Sequence, residues 1–370
     1  MQIMALSLSF NKFIFAYNFL LLVVWAICQT TTGRHIAADQ ETSSVAEHFE
    51  QWMARYGRSY VDDESEKLKR FNIFKENMDY IESFNRPENN QTYQLGINEF
   101  SDLTDEEFVE NYMDTLKAAP PIPRRPNNTL PMPDSLWNES LVRIPESIDW
   151  RDSGAITPVR TQGPKCDCCW AFSTVAAMEA LNQMVTETLT PLSEQHLIDC
   201  DVVSKGCGGG SLSYAYLFIY SNDGIAKASD YPYMGSQGKC REDVVKIANI
   251  SGYRSVEQSD RALLMAVSRQ PVSVGIRLGG KFLRQLRHYT AGIFSGDVNG
   301  DCGPPDFSHA MTIVGYETFT IGHDYPISYA YWIVKNSWGT SWGDGANTPN
   351  GKGICGINQS AYIPINRKYG

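Results

Sequence analysis

The stretch Gln162-Gly-Pro-Lys-Cys-Asp-Cys-Cys-Trp-Ala-Phe-Ser173 decides how this chain is read. Its first half, built of glycine, proline and cysteine, is loop material. Its second half opens a helical pattern from Cys169 to about Thr186, with Trp170, Val175, Leu181, Met184 and Val185 as candidate core residues. Cys169 therefore stands at a helix start, where aligned backbone N–H groups favour a thiolate over a thiol. A thiol nucleophile also needs a base and a group that orients the base. Among six histidines, His309 precedes an apolar strand, and Asn336 ends a later strand with Ser337-Trp338-Gly339 after it. The amide can hold an imidazole in one orientation, and the indole can keep water from that contact.

Outward from this stretch, 370 residues with 8 Trp, 19 Tyr and 16 Phe demand a buried interior and exclude disorder over the whole length. The net charge of −10 argues against a protein whose main task is gripping nucleic-acid phosphates. That charge is uneven: residues 34–143 carry 12 basic and 21 acidic side chains, while those from Ile144 onward carry 19 and 21. Two parts with different charge imply two parts with different tasks.

The N-terminus reads as an export signal over residues 1–33, with Lys12 ahead of the apolar run Phe13–Cys28 and the polar stretch Gln29–Thr32 behind it. No other stretch is long and apolar enough to span a bilayer, so no membrane attachment is expected after signal removal. Eight of the nine cysteines lie between Cys166 and Cys355, which in an oxidising compartment reads as a disulfide framework. Zinc is the competing reading, but Cys166 and Cys168 are too close for a knuckle and no histidine pair stands nearby; no metal or cofactor is expected. Sequons at Asn90, Asn127, Asn138, Asn249 and Asn358 are candidate glycosylation sites.

Between signal and helix, the segment of about 45–116 is helical in pattern. In Val45–Asn85, the residues Glu66, Arg70, Ile73, Phe74, Asn77, Ile81 and Asn85 recur at steps of three and four and share one helix face. Gly96-Ile-Asn98-Glu-Phe100-Ser-Asp102 follows, then a short acidic helix, Asp105–Tyr112. Residues 118–134 form a proline-rich extended linker. Beyond Ile144 come a helix at Glu194–Asp199 and strands at Val272–Ile276, Met311–Val314 and Tyr329–Val334. Helix-rich then strand-rich halves predict two packed lobes with a cleft between them.

In this order the motifs resemble a precursor of the papain family of cysteine proteases. The face Glu66–Asn85 is similar to the ERFNIN pattern of that family's propeptides, and Gly96, Asn98, Phe100 and Asp102 to its second propeptide motif. Thr161-Gln-Gly163, Cys169-Trp-Ala-Phe-Ser173, Gly206-Cys-Gly-Gly-Gly210, Tyr231-Pro-Tyr233, His309-Ala310 and Lys335-Asn-Ser-Trp-Gly339 resemble the enzyme. The resemblance implies an α+β, papain-like two-lobed fold: a helical left lobe, a β-barrel right lobe and the active-site cleft between. It further implies an inhibitory propeptide over 34–143 and a peptidase domain over 144–370.

It also assigns roles. Cys169 would be the nucleophile, His309 the acid and base, Asn336 the orienting residue and Trp338 its shield. Gln162 and the backbone N–H of Cys169 would form the oxyanion hole. The disulfides would be Cys166–Cys207, Cys200–Cys240 and Cys302–Cys355, leaving Cys168 beside the nucleophile. Leu212, Gly275, Ala310 and Ser360 would line an apolar second subsite, widened by Ser211 and Ser213 where aromatic residues are usual. Implied partners are protein and peptide substrates, the chain's own propeptide as intramolecular inhibitor, and cystatin-like inhibitors. The expected form is a monomer in the secretory pathway, bound for a vacuole or lysosome or for the extracellular space.

The chain departs from the family pattern at four places. Asp167 replaces a glycine and Cys168 a small residue; Pro164-Lys165 lengthens the loop after Gln162; Ser308 precedes the histidine where Asn or Asp is usual; and the strand after Gly345 is not recognisable. These departures motivate the alternative of a catalytically impaired homologue acting as a binding or storage protein.

Overall fold

The computed structural model describes residues 44–115, 144–295, 302, 307–321, 327–343, 348–351 and 354–366. The signal peptide, the proline-rich linker, Asn127 and Asn138 lie outside these. The contacts divide the chain into two compact units, meeting between Glu76 and Asn77.

In the first unit the helical pattern is interrupted. A helix α1 covers residues 44–56 and stops at Gly57, which takes a left-handed φ of 59° open to glycine. The chain re-enters a helix after Asp63, whose carboxylate accepts from the N–H groups of Ser65 and Glu66, both at 3.1 Å. That helix, α2, runs Glu64–Phe84. Phe49 and Trp52 of α1 pack on Phe74 of α2, each at 5.3 Å between ring centroids. Glu66 and Arg70 pair at 2.6 Å across one turn.

In the second unit the polar members of the α2 face become connectors. Asn77 donates to the carbonyls of Ser101 and Leu103 at 2.9 and 3.1 Å. Asn85 brackets Leu95 from both sides, donating to its carbonyl at 2.7 Å and accepting from its N–H at 3.0 Å. This settles strand β1, Tyr93–Leu95. Helix α3, Asp105–Tyr112, starts with a capping box between Thr104 and Glu107 and is followed by β2, Asp114–Thr115.

From residue 144 the chain forms β3 (Ser147–Asp149), α4 (Cys169–Thr186), α5 (Glu194–Cys200), α6 (Leu212–Ser221), β4 (Ile225–Ala226), β5 (Lys246–Ala248) and β6 (Gly252–Ser255). There follow α7 (Asp260–Val267), β7 (Val272–Leu278), α8 (Gly280–Arg287), β8 (Tyr289–Gly292), β9 (Phe307–Ile321), β10 (Ile327–Lys335), β11 (Thr348–Gly351) and β12 (Ala361–Ile365). The strand-rich lobe is one sheet paired as the path β11-β10-β9-β7-β12-β6, with β2 and β3 also on β9. β9 and β10 extend well beyond their apolar centres because their outer residues pair with each other in a long antiparallel ribbon. The strand that is unrecognisable after Gly345 is nevertheless present: β11 pairs with β10 from Tyr331↔Gly351 to Val334↔Thr348.

Two apolar cores result. One holds α4, α5 and α6 through Trp170, Val175, Leu197, Tyr216 and Ile219; the other sits under the sheet through Val274, Ile276, Ile313, Val334 and Trp338. Phe100, Phe108 and Tyr112 of the N-terminal segment belong to the second core. α4 is buried on every side from Cys169 to Leu181, whereas Met184 and Val185, near its exposed end, are only half-buried. Disulfides Cys166–Cys207 and Cys200–Cys240 staple the helical lobe, and Cys302–Cys355 the sheet lobe. Among the described residues no helix is long and apolar enough to cross a membrane.

Candidate active site

Where the two cores meet, a third small cluster forms from Cys169, Leu212 and Ala310, with Tyr362 packed against it. Cys169 is the first residue of α4 and is 4% exposed. His309 lies on β9 next to Ala310, inside the protein. Its Nε2 lies 2.7 Å from Oδ1 of Asn336, which closes β10. The same oxygen accepts from the N–H of Ser337 at 2.7 Å, which identifies it as the carbonyl side of the amide. Nε2 therefore carries the proton in that bond, and Nδ1 has no hydrogen-bond partner among the described residues. Trp338 stacks on the imidazole with centroids 4.5 Å apart. Burial pulls the His309 pKa down to about 4, against the raising effect of the Asn336 bond.

Gln162 is fully buried and held at four points. Its N–H donates to Ser337 O at 2.8 Å, its carbonyl accepts from Tyr233 Oη at 2.6 Å, its Oε1 from Ser337 Oγ at 2.7 Å, and its Nε2 donates to Cys166 O at 3.2 Å. The lengthened loop is absorbed by Gly163 and Lys165, both with left-handed φ (64° and 70°), so Gln162 stays anchored. Asp167 takes no left-handed conformation; the backbone cost that a lost glycine could have imposed falls on Lys165 instead.

Cys168 sits at the N-cap of α4, with Sγ 3.2 Å from Tyr233 Oη. Since that phenol already donates to Gln162, the thiol is the donor. Burial pushes the Cys168 pKa up to about 12, so it stays protonated. Among the described residues, Cys168 and Cys169 are the two cysteines outside the disulfides.

The four residues read as a subsite are brought together. Gly275 on β7 is the cross-strand partner of Ala310, and its N–H donates to Ser360 O at 2.8 Å. A side chain at Gly275 would press on Ser360, 3.3 Å away. Leu212 packs in one cluster with Ala310 and Cys169, and Ser211 and Ser213 bond each other at 2.9 Å. Sequence reasoning missed Tyr362, the Ser337 hydroxyl and the Tyr233 phenol. Only the last two lie in sequence motifs, Lys335-Asn-Ser-Trp-Gly339 and Tyr231-Pro-Tyr233.

Behind the site, Arg160 pairs with Glu179 at 2.5 Å and Glu194 at 2.9 Å, and Lys335 Nζ donates to Thr157 at 2.7 Å and lies 4.0 Å from Glu179. This buried network ties α4 and α5 to the end of β10. The N-terminal segment reaches the same region: Lys165 N–H donates to Asn111 O at 3.2 Å, and β2 pairs with β9 as Asp114↔Ser308 and Thr115↔Phe307.

The pattern of papain family cysteine proteases matches residues 144–365, and that of the cathepsin propeptide inhibitor domain matches residues 49–108. Ananain of Ananas comosus is 38% identical over 95% of this chain and 95% of its own length; fruit bromelain of the same plant is 40% identical over 88% of each. Among solved structures, the recombinant stem bromelain precursor is 36% identical at a TM-score of 0.73, covering 88% of this chain and 99% of its own. The proform of the ragweed pollen cysteine protease Amb a 11 is 31% identical at 0.71, covering 88% and 95%. The chain thus belongs to the papain family of cysteine proteases, and carries that family's inhibitory propeptide ahead of its peptidase domain.

Proposed function

We propose that the protein is a cysteine endopeptidase in which Cys169 attacks and His309 manages the proton, made as a zymogen with residues 34–143 as propeptide and 144–370 as the enzyme. The observation that carries this is the His309–Asn336 bond under Trp338, with Cys169 clustered against Ala310, the residue after His309. With Nε2 held by Asn336, Nδ1 is the nitrogen that exchanges a proton with the thiol. The thiolate adds to the peptide carbonyl carbon, and the oxyanion is met by the Cys169 N–H and the Gln162 side-chain amide. As the C–N bond breaks, the imidazolium gives its proton to the departing amine. Water, deprotonated by His309, then hydrolyses the thioester and frees Cys169.

Leu212, Gly275, Ala310 and Ser360 support a second subsite that takes a hydrophobic residue two positions before the cut, roomier for want of aromatic side chains at Ser211 and Ser213. Arg preferred at that position would refute this. A signal at 1–33, three disulfides and sequons support passage through the secretory pathway to a vacuole or the cell exterior. Among the sequons, Asn90 and Asn249 are exposed, whereas the Asn358 amide donates to Asp260 at 2.9 Å. A cystatin-like inhibitor would compete for the same cleft.

An epoxysuccinyl inhibitor applied to acid-processed protein, with peptide mass mapping and a turnover assay, tests the assignment. Modification of Cys169 with loss of turnover is expected. A folded, processed protein with neither adduct nor turnover would be a silent homologue.

A further inference from the structure

The surface that the propeptide covers on α8 has a chemistry of its own. Between Asp260 and Asp297 the sequence carries six basic residues and no acidic one, three of them (Lys281, Arg284 and Arg287) on α8. The segment docked there is of opposite sign: four of the six residues Asp105–Glu110 are acidic. Arg287 is 1% exposed, and among the described residues its guanidinium meets Asp105 at 3.0 Å, Asn77 Oδ1 of α2 at 3.1 Å, the Leu103 carbonyl just ahead of α3, and the ring of Phe108 at 5.9 Å. Arg284 lies 4.2 Å from the centre of the Tyr80 ring and donates to Asn77 Oδ1 at 2.9 Å.

Removal of the propeptide strips both guanidiniums of these partners and leaves them on the enzyme face. Asp105 and Phe108 stand one turn apart on α3, so the pair of groups recognised is a carboxylate and an aromatic ring at a spacing of three. The site is also within reach of the catalytic cleft. The chain that meets Arg287 at Asp105 pairs with Ser308, beside His309, at Asp114, nine residues on.

We propose that in the processed enzyme Arg284 and Arg287 form an exosite that captures acidic, aromatic-bearing segments of protein substrates and delivers a neighbouring stretch to the cleft. This rests on the peptidase reading above. Capture by a weak second site raises the effective concentration of the cleavable bond and acts on KM. Because it is an interaction of charges at a surface, it weakens with salt.

Two fluorogenic peptides with the same cleavable sequence test it on the acid-processed enzyme. One carries residues 104–113 through a flexible ten-residue linker, and the other carries that segment with Asp105→Asn and Phe108→Ala. The intact segment is expected to raise kcat/KM about tenfold over the altered one, through KM. The ratio should fall towards one in Arg284→Glu and Arg287→Gln enzymes and at high salt. A ratio of one in wild-type enzyme that turns over the short peptide normally overturns the proposal, as does a ratio that survives both substitutions. Binding of the labelled segment, read by fluorescence anisotropy, is independent of turnover. If no peptide is cleaved, the catalytic assignment fails while anisotropy still decides the exosite, absence of binding overturning it.

Discussion

Replacing Asn336 with alanine removes the oxygen that accepts from His309 Nε2, at 2.7 Å in a fully buried setting. A hydrogen bond to a charged group contributes about 1.5–3 kcal/mol, and it acts on the imidazolium, the form that must persist beside a thiolate. One pH unit corresponds to about 1.4 kcal/mol, so losing the bond lowers the His309 pKa by about 1–2 units. The sign follows: the bond raises this pKa, so its loss moves the alkaline limb of the rate profile to lower pH. At the optimum the same energy appears as a fall of roughly 10- to 150-fold in kcat/KM. The assay is kcat/KM from pH 4 to 9 with a fluorogenic peptide, normalised to sites titrated by an epoxysuccinyl reagent. A loss below about threefold, or an alkaline limb that does not move, would refute the role given to Asn336.

Glu179→Gln leaves Arg160 and Lys335 short of a buried counter-charge and should cost about 3–5 kcal/mol in urea unfolding; a change under 1 kcal/mol would show that the network is solvated. His309 has a folded pKa of about 4, below the ordinary 6.5. The unfolded chain thus takes up the proton first, and stability is lost as pH falls from 6.5 towards 4, by about 1.4 kcal/mol per unit. Urea titrations of the Cys169→Ala protein check this, and a slope unaltered by His309→Gln would contradict it. Tyr233→Phe removes the donor to the Gln162 carbonyl and should lower kcat about five- to tenfold with little change in KM; a pure KM effect would point to substrate contact instead. In Gly210→Ala the new methyl would lie 2.5 Å from the Trp170 ring, so a loss of about 1–3 kcal/mol in stability is expected. A stability equal to wild type would mean that the indole shifts freely.

Much of the site was legible because its parts are local. A cysteine opening a helix, a histidine ahead of an apolar strand and Asn336 before Ser-Trp-Gly are each visible in a few residues. What escaped is what only tertiary structure creates. Tyr362 belongs to the site because β12 lies beside β7. Arg287 looks like an ordinary surface cation of a short helix until Asp105 and Phe108 are seen over it. The helical region at 45–85 reads as one piece in sequence, yet it breaks at Gly57, where the left-handed backbone ends the helix. β11 is not visible in sequence because three of its four residues, Pro349, Asn350 and Gly351, disfavour strands; pairing with β10 defines it. The uneven charge of the two parts foretold their separation in role but not the contact between Arg287 and Asp105.

β9 serves three masters within a few residues. Phe307 and Ser308 pair with β2 of the N-terminal segment, His309 is the proposed base, and the residues from Ala310 to Ile313 pair with β7 in the core. Inheritance along this strand is therefore coupled: a backbone shift that loosens the β2 pairing at Ser308 is passed on to the proposed base one residue later. Such a strand can drift only by paired changes, one in the enzyme and one in its own leader. An engineer wanting to loosen this pairing has more freedom at Asp114 and Thr115, in the proposed leader, than at Ser308 in the proposed enzyme.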